Sequence, residues 1–555
     1  MVTSSLQKIG GVPTLTVNGK PVGGAAYVTY YNRLARYEDF AAAGCKLFSV
    51  TVYFAEKTIN EVSQIPPFKV GIFDKEEPDF ALADAEVEQI LAACPDAMIF
   101  PRVNMSLPTR WEVANPDELC DTRTPASSQN RPCFSSRKWL EETKRLMGLY
   151  IDHVEQSSYR DHFIGYQIAD GNTEEWFGFD QVGSQGKRSR ERYAEYLAAT
   201  GEKESEEGYH QFLSDVVAED ICDIAHYVKE KTQNRLVVGA FYGYSMNCIS
   251  WTACHSALGK VLRCPDVDFL CSPVCYSYRR APKRDLPCML PVDSLRLHGK
   301  LYFVENDIRT HLSKAPNDLP HYNQPIWFGP EKAVSKEVIK MAAARALVHG
   351  YAEWWFDMWG GWYADEEYLA LMKRHFAIVS ETGKNRLPAS EIAVFTDERS
   401  YVYAGKSAYD IIPPSREVLG KIGAPYDTYL ADDAPAAAGN YKLAVFLAPV
   451  MSETIEKGIA AAKASGAKVF VWTPETHPTA EDFRAMCAEA GVKLYTDRPA
   501  VVYACGGYLF LHTVADGEIT LTDNGKQTFT DLFTGEKLTF PCVLEAGKSY
   551  LFERD

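Results

Sequence analysis

The sequence predicts an α/β chain built around a (β/α)8 TIM barrel, and three observations predict it. Apolar runs of strand length alternate with helix-patterned segments from the start to about Gly383. The runs number about eight, which is what a closed barrel of parallel strands needs. Acidic, aromatic and amide side chains gather where the runs end.

The runs are Val22–Tyr30, Lys46–Phe54, Met98–Met105, Phe163–Ala169, Leu236–Tyr244, Asp268–Tyr276, Leu301–Asn306 and Ala352–Trp359. Ahead of them, Thr14-Leu-Thr-Val-Asn-Gly-Lys-Pro-Val22 carries Asn18-Gly19, a type I′ hairpin signal, and predicts a hairpin closing the barrel floor. Between the third and fourth runs, Trp139, Leu146, Met147, Tyr150, Ile151 and Val154 share one helical face, with Ser135 or Ser136 as N-cap. Ser335 is expected to cap a helix running to His349 that Gly350 stops.

After Lys384-Asn-Arg-Leu-Pro388 the pattern restarts: strand Ile392–Thr396, a helix near Ser415–Gly423, strand Leu443–Leu447, helix Ile455–Ser465 and strand Lys468–Trp472. That predicts a small open α/β sheet. It lacks Gly-x-Gly-x-x-Gly at its first turn, which argues against a nucleotide site, and its lack of cysteine argues against an amidotransferase. From about Pro499, short alternating runs with turn signals such as Asp523-Asn-Gly525 predict a small antiparallel β domain. The expected divisions are 1–385, 386–498 and 499–555.

A chain of 555 residues is too long for a single core. Its net charge of −16 opposes nucleic acid and anionic membrane as partners, since both would repel it. No stretch has the length and apolarity of a signal peptide or a membrane span, so a cytoplasmic protein is expected. The fourteen cysteines show no Cys-x-x-Cys and no zinc-finger spacing, so no metal is expected. Cys45, Cys271 and Cys275 read as buried thiols, while Cys120 and Cys133, in a polar loop-like stretch, stay open as a metal or disulfide pair.

Barrel sites lie at the C-terminal ends of the strands. Run four ends in Asp170-Gly-Asn-Thr-Glu-Glu-Trp176 and run seven in Glu305-Asn-Asp-Ile-Arg309. Glu175 and Glu305 would therefore face one mouth, where one carboxyl can protonate a leaving oxygen and the other attack carbon, the chemistry of glycoside hydrolysis. Glu174 and the apolar face of Trp176 are expected to raise Glu175, and a nearby arginine to keep Glu305 ionised. For Glu174 and Glu175 the plainer alternative is a pair of solvated acids at a helix start. Arg102 and Asn104, Tyr242 and Tyr244, Tyr276 and Tyr278, and Trp354, Trp355, Trp359 and Trp362 close other runs and suit a sugar's hydroxyls and flat C–H faces. Alternation admits only one of Trp354 and Trp355 to the lumen, and ordinary core packing is the plainer role for any single tryptophan.

With these residues the chain resembles the clan A glycoside hydrolases, above all the three-domain family 42 β-galactosidases and their β-mannosidase-like relatives. The resemblance spans nearly the whole chain in domain order: hairpin and barrel, a flavodoxin-like domain that forms a trimer contact, and a small C-terminal β domain. It implies Glu175 as proton donor and Glu305 as nucleophile, with Arg102, Tyr276 and Trp355 as substrate-site residues, to which the run ends add Asn104 and Asn172. The family places an Asn directly before the donor, whereas Thr173 and Glu174 separate Asn172 from Glu175 here. Glu174 stays an alternative donor, and Glu175 is preferred because it abuts Trp176. The cysteine zinc site of some family members has no counterpart. The expectation is a cofactor-free retaining exo-β-glycosidase acting on a terminal hexose, galactose ahead of mannose, and forming a homotrimer. A carbohydrate-binding barrel without catalysis is the alternative of another class.

Overall fold

The computed structural model describes the chain except residues 60–64, 66, 122–130, 179–185, 248–251, 277–282, 315–327 and 555. All eight runs form strands: β1 Ala25–Val28, β2 Leu47–Ser49 with Thr51–Tyr53, β3 Met98–Ile99 with Arg102–Asn104, β4 Gly165–Ala169, β5 Val237–Phe241, β6 Phe269–Pro273, β7 Leu301–Asn306 and β8 Ala352–Phe356. Every neighbouring pair is parallel, and Glu353 of β8 pairs with Ala25 of β1, so the ring closes. The strands are buried throughout except at Met98, which is why they read as unbroken apolar runs. The runs overshoot the strands because their last residues begin the loops that carry the site.

The lumen is filled with aromatic rings. Phe303 packs on Phe100, Phe269 and Trp354 with centroids 5.3, 5.4 and 5.6 Å apart. β5 contributes Gly239 to this layer, because a Cβ there would stand 2.2 Å from the Phe269 ring. Phe241, two residues further along, packs tilted against Trp354 at 5.5 Å and becomes the floor of the mouth.

At the opposite end, strands Ser4–Ile9, Val12–Val17 and Lys20–Pro21 form an antiparallel meander. Its tight turn is the expected one, with Asn18 and Gly19 at φ of 51° and 73°. Ser4 N donates to Arg235 O at 2.8 Å and Val237 N to Ser4 Oγ at 2.9 Å, tying the meander to the start of β5. Ser136 caps the helix Arg137–Gln156, accepting from Trp139 N at 3.0 Å. Ser335 departs from expectation. The helix starts at Lys332, and Ser335 lies in its first turn with Oγ donating to Pro330 O at 2.9 Å. Gly350 ends that helix in the left-handed region, at φ 70°.

Beyond the barrel lies a parallel sheet in the order Asp427–Leu430, Ile392–Thr396, Leu443–Leu447, Lys468–Trp472, with separate apolar clusters on its two faces. This is the flavodoxin-like unit. The helix expected near Ser415–Gly423 is Ile412–Leu419, since Pro413 and Pro414 fit a helix's first turn. Strand Asp427–Leu430 escaped the sequence reading. Antiparallel strands Ala500–Ala504, Tyr508–Thr513 and Ser549–Glu553 form the C-terminal sheet. No described helix is long and apolar enough to cross a membrane. Cys120 and Cys133 are thiols, with Cys133 Sγ 2.9 Å from Ser189 Oγ.

One carboxylate joins the three sheets. Asp285, in the segment after β6, accepts from Arg345 Nη1 of the barrel at 2.8 Å, from Tyr503 of the C-terminal sheet, and from Tyr426 of the middle unit at 3.4 Å. Replacing Asp285 with alanine leaves Arg345 buried without its counter-charge, a loss of about 3–5 kcal/mol in comparable pairs. Calorimetry should show Tm lowered by several degrees; an unchanged Tm would remove this junction as a stabilising contact.

Candidate active site

β3 sends Arg102 into the mouth, where its guanidinium lies over the Phe241 ring at 4.2 Å and is 2 % exposed. Stripped of water, that cation needs counter-charge, and three carboxylates supply it. Nε lies 3.1 Å from Glu174 Oε2, Nη1 3.3 Å from Glu305 Oε2, and Nη2 3.9 Å from Glu175 Oε1. Nη2 also donates to Thr173 O at 3.1 Å. Glu175 and Glu305, 130 residues apart, thus meet at one guanidinium.

Glu305 sits near the end of β7, where the register pairs it with Trp354 of β8. Residues in register share a face, so Trp354 enters the lumen beside Glu305 and its indole N–H donates to Glu305 Oε2 at 3.2 Å. The expectation for Trp355 is corrected by this parity. Trp355 points outward, packing edge-on against Tyr363 at 5.6 Å and His375 at 6.1 Å.

The loop after β4 is strained. Gly171, Thr173, Glu174 and Trp176 have φ of 78°, 58°, 64° and 62°. For the three non-glycine residues such backbone costs about 1–3 kcal/mol each and persists only when its surroundings impose it. Those surroundings are visible: Thr173 N donates to Ile59 O at 2.7 Å, Trp176 N to Asp170 O at 2.7 Å, and Asn172 N to Phe177 O at 3.0 Å. The twist turns Glu174 and Glu175 to Arg102 and sends Trp176 the other way. Trp176 donates through Nε1 to Ile168 O at 3.1 Å and packs on Phe134, so adjacency in sequence does not place it over the Glu175 carboxyl.

Burial first, and then the neighbouring Glu305 carboxylate, push Glu175 up to about 8, with Arg102 and the Tyr244 hydroxyl opposing. Burial also lifts Glu305, to about 7, against Arg102 and with Asp307 adding to the rise. The geometry ranks them the same way. Glu175 has the longest contact with the cation, while Glu305 has a shorter one and an indole donor that favours its charged form. One proton on the pair therefore belongs to Glu175.

Other expected residues lie nearby in different roles. Asn104 Oδ1 accepts from Ser106 N at 3.0 Å and shapes the loop after β3. Asn172 is buried in the strained loop. Tyr276 is 40 % exposed at the rim beyond β6, within electrostatic reach of Tyr244, and Tyr278 lies outside the described residues. Sequence reasoning missed Tyr30, which donates to Glu174 Oε2 at 3.1 Å, and His255. His255 Nδ1 accepts from Gly243 N at 3.1 Å, so Nε2 carries the hydrogen and donates to Glu175 O at 2.9 Å, tying the Glu175 backbone to the segment just after β5. Burial drives that imidazole down to about 3, so it stays neutral. Asp307 receives a two-pronged contact from Arg309, at 2.9 and 3.1 Å.

An acid whose folded value is raised binds its proton more tightly folded than unfolded, so wild-type stability should fall as pH climbs from the ordinary carboxylate range through about 8. Glu175→Gln removes that loss. Its Tm should exceed wild type by roughly 2–5 °C at pH 9 and by little at pH 5; an equal difference at both would mean the carboxyl is not held protonated.

No family model and no curated protein matches the chain. Solved structures do. Gan42B, a GH42 β-galactosidase, superposes with a TM-score of 0.65 at 9 % identity, covering 96 % of this chain and 98 % of that one. The β-galactosidase of Bacillus circulans sp. alkalophilus gives 0.60 at 12 %, with the same coverage. The exo-carrageenase GH42 of Bacteroides ovatus gives 0.61 at 10 %, covering 100 % of this chain and 84 % of that one. Over essentially its whole length, the chain has the fold of the GH42 β-galactosidases.

Proposed function

We propose that the protein is a retaining exo-β-glycosidase that removes a terminal β-linked hexose, galactose ahead of mannose. The observation that carries the reading is that Glu175, in the loop after β4, and Glu305, near the end of β7, converge on the one guanidinium of Arg102. Carboxyls that share one guanidinium fit the close spacing of roughly 5 Å that covalent catalysis uses better than the ~6.5–9.5 Å that leaves room for an attacking water. Two structural neighbours are named as β-galactosidases and a third as an exo-acting carrageenase, which supports an exo-glycosidase on this fold.

Glu305 attacks the anomeric carbon as Glu175 protonates the departing glycosidic oxygen, leaving the sugar esterified to Glu305. Glu175, now ionised, takes a proton from water, whose oxygen attacks the same carbon and releases Glu305. Arg102 and the Trp354 indole hold Glu305 for the first step, and the aromatic floor excludes water beneath the sugar.

A panel of aryl β-glycosides tests this. Wild type should release the aryl alcohol. Glu305→Ala should lose turnover by about 10⁴-fold or more and recover part of it with azide, as the α-glycosyl azide; a β-azide from that variant would reverse the roles. Glu175→Ala should spare activated leaving groups and fail on poor ones. Binding of a sugar, seen as thermal stabilisation with no turnover by wild type, would make the chain a binding barrel instead.

The pH dependence follows from the same pair. kcat/KM for a poor leaving group should rise as Glu305 ionises near pH 7 and fall as Glu175 loses its proton near pH 8. A rate flat from pH 6 to 9 would contradict the pairing.

A further inference from the structure

Immediately before Glu175 stands a carboxylate that double displacement does not use. Glu174 is 1 % exposed; its Oε2 lies 3.1 Å from Arg102 Nε as an ion pair and accepts from the Tyr30 hydroxyl at 3.1 Å. The three glutamates divide the guanidinium among them: Glu174 takes Nε, Glu305 takes Nη1 and Glu175 takes Nη2. Its own left-handed backbone, flanked by Thr173 and Trp176 in the same region, is what aims Glu174 at the Nε edge.

A planar guanidinium with Glu174 beside Nε, Glu305 on Nη1 and Thr173 O on Nη2 is restrained from swinging in its plane. With the Glu174 charge beside Nε, Arg102 presents Nη1 to Glu305 and keeps Nη2 3.9 Å from Glu175. It also has its single positive charge already shared before the catalytic pair draws on it. We propose that Glu174 is a positioning residue: by occupying the Nε edge of Arg102 it fixes which catalytic carboxyl receives the cation and which keeps the proton. The inference rests on the glycosidase reading for the names of the two roles, but not for the geometry.

Among the described residues, the groups facing this cluster are Tyr30 beyond β1, Tyr53 of β2, Arg102 of β3, Glu174 and Glu175 beyond β4, Tyr244 beyond β5, Cys271 and Tyr276 of the β6 segment, and Glu305 and Asp307 of the β7 segment. Burial pushes Tyr30, Tyr53, Tyr244 and Cys271 well above their ordinary values, so none of these four changes charge between pH 5 and 9. Asp307 is bound by Arg309. Negative charge at the Glu174 side chain acts to raise Glu175, and both side chains meet at Arg102.

The test is Glu174→Gln, with Glu174→Asp beside it, read by kcat/KM against pH and by carbon-13 titration of labelled glutamate carboxyls. The glutamine variant keeps an acceptor for Tyr30 but loses the charge. Its alkaline limb, and the Glu175 carboxyl signal, should move about one pH unit to the acid side, as expected for one charge removed a few Å away. The aspartate variant keeps the charge but has a shorter reach, so its limb should stay in place while kcat falls at least tenfold. An unmoved limb in a folded glutamine variant overturns the proposal. So does a glutamine variant that fails only on poor leaving groups, since Glu174 would then be the proton donor itself. If the glutamine variant does not fold, the aspartate variant decides, and an unchanged kcat overturns the proposal. If wild type hydrolyses nothing, the functional reading fails, and the carbon-13 titration alone still decides whether Glu174 governs Glu175.

Discussion

A guanidinium lying dry on the Phe241 ring, with a carboxylate at each of its three nitrogens, is the constraint around which this barrel mouth is organised. A buried cation on a ring contributes about 2 kcal/mol, far less than desolvating it costs. The carboxylates are therefore required for Arg102 to be buried at all. They also repel one another, so three acids around one base cannot all be ionised without a penalty, and the site settles by keeping a proton. The acid with the weakest hold on the cation is the one raised furthest, so identical side chains differ in their affinity for a proton.

The barrel beneath makes this geometry rigid. The packed rings of Phe100, Phe269, Phe303 and Trp354 fill the lumen, and the missing side chain at Gly239 leaves space for Phe269. Above them, Arg102, Glu305 and Trp354 stand on adjacent or facing strands whose register is fixed by backbone pairing. Only Glu174 and Glu175 come from a loop, and that loop is strained, anchored to Ile59, Asp170 and Phe177, and tied by His255 to the segment just after β5. Strain stored beside this pair of carboxyls is stability given up for a fixed arrangement.

The barrel was legible because parallel strands sealed on both faces leave continuous apolar runs, and all eight runs became strands. The four residues of Asp427–Leu430 left no such run, since an acid and a threonine occupy half of it. Glu305, Glu175 and Arg102 were legible as polar residues ending apolar runs. Trp354 was misassigned in favour of Trp355 because the choice depends on register with β7, which a single strand's sequence does not contain. The partnership of Glu174 with Arg102 and Tyr30 was hidden for a different reason. It depends on threonine, glutamate and tryptophan in left-handed backbone, a conformation their identities disfavour. Trp176 shows the same limit, since its place beside Glu175 in sequence suggested a contact that the twist removes.

The division of roles at Arg102 is tested most directly by trapping the covalent intermediate. The protein is incubated with 2-deoxy-2-fluoro β-glycosides carrying an activated leaving group, digested, and mapped by mass spectrometry. If the guanidinium and the Trp354 indole hold Glu305 ready to attack, the fluorosugar is found on the peptide containing Glu305 and on no other. A label on the peptide carrying Glu174 and Glu175 would contradict that division.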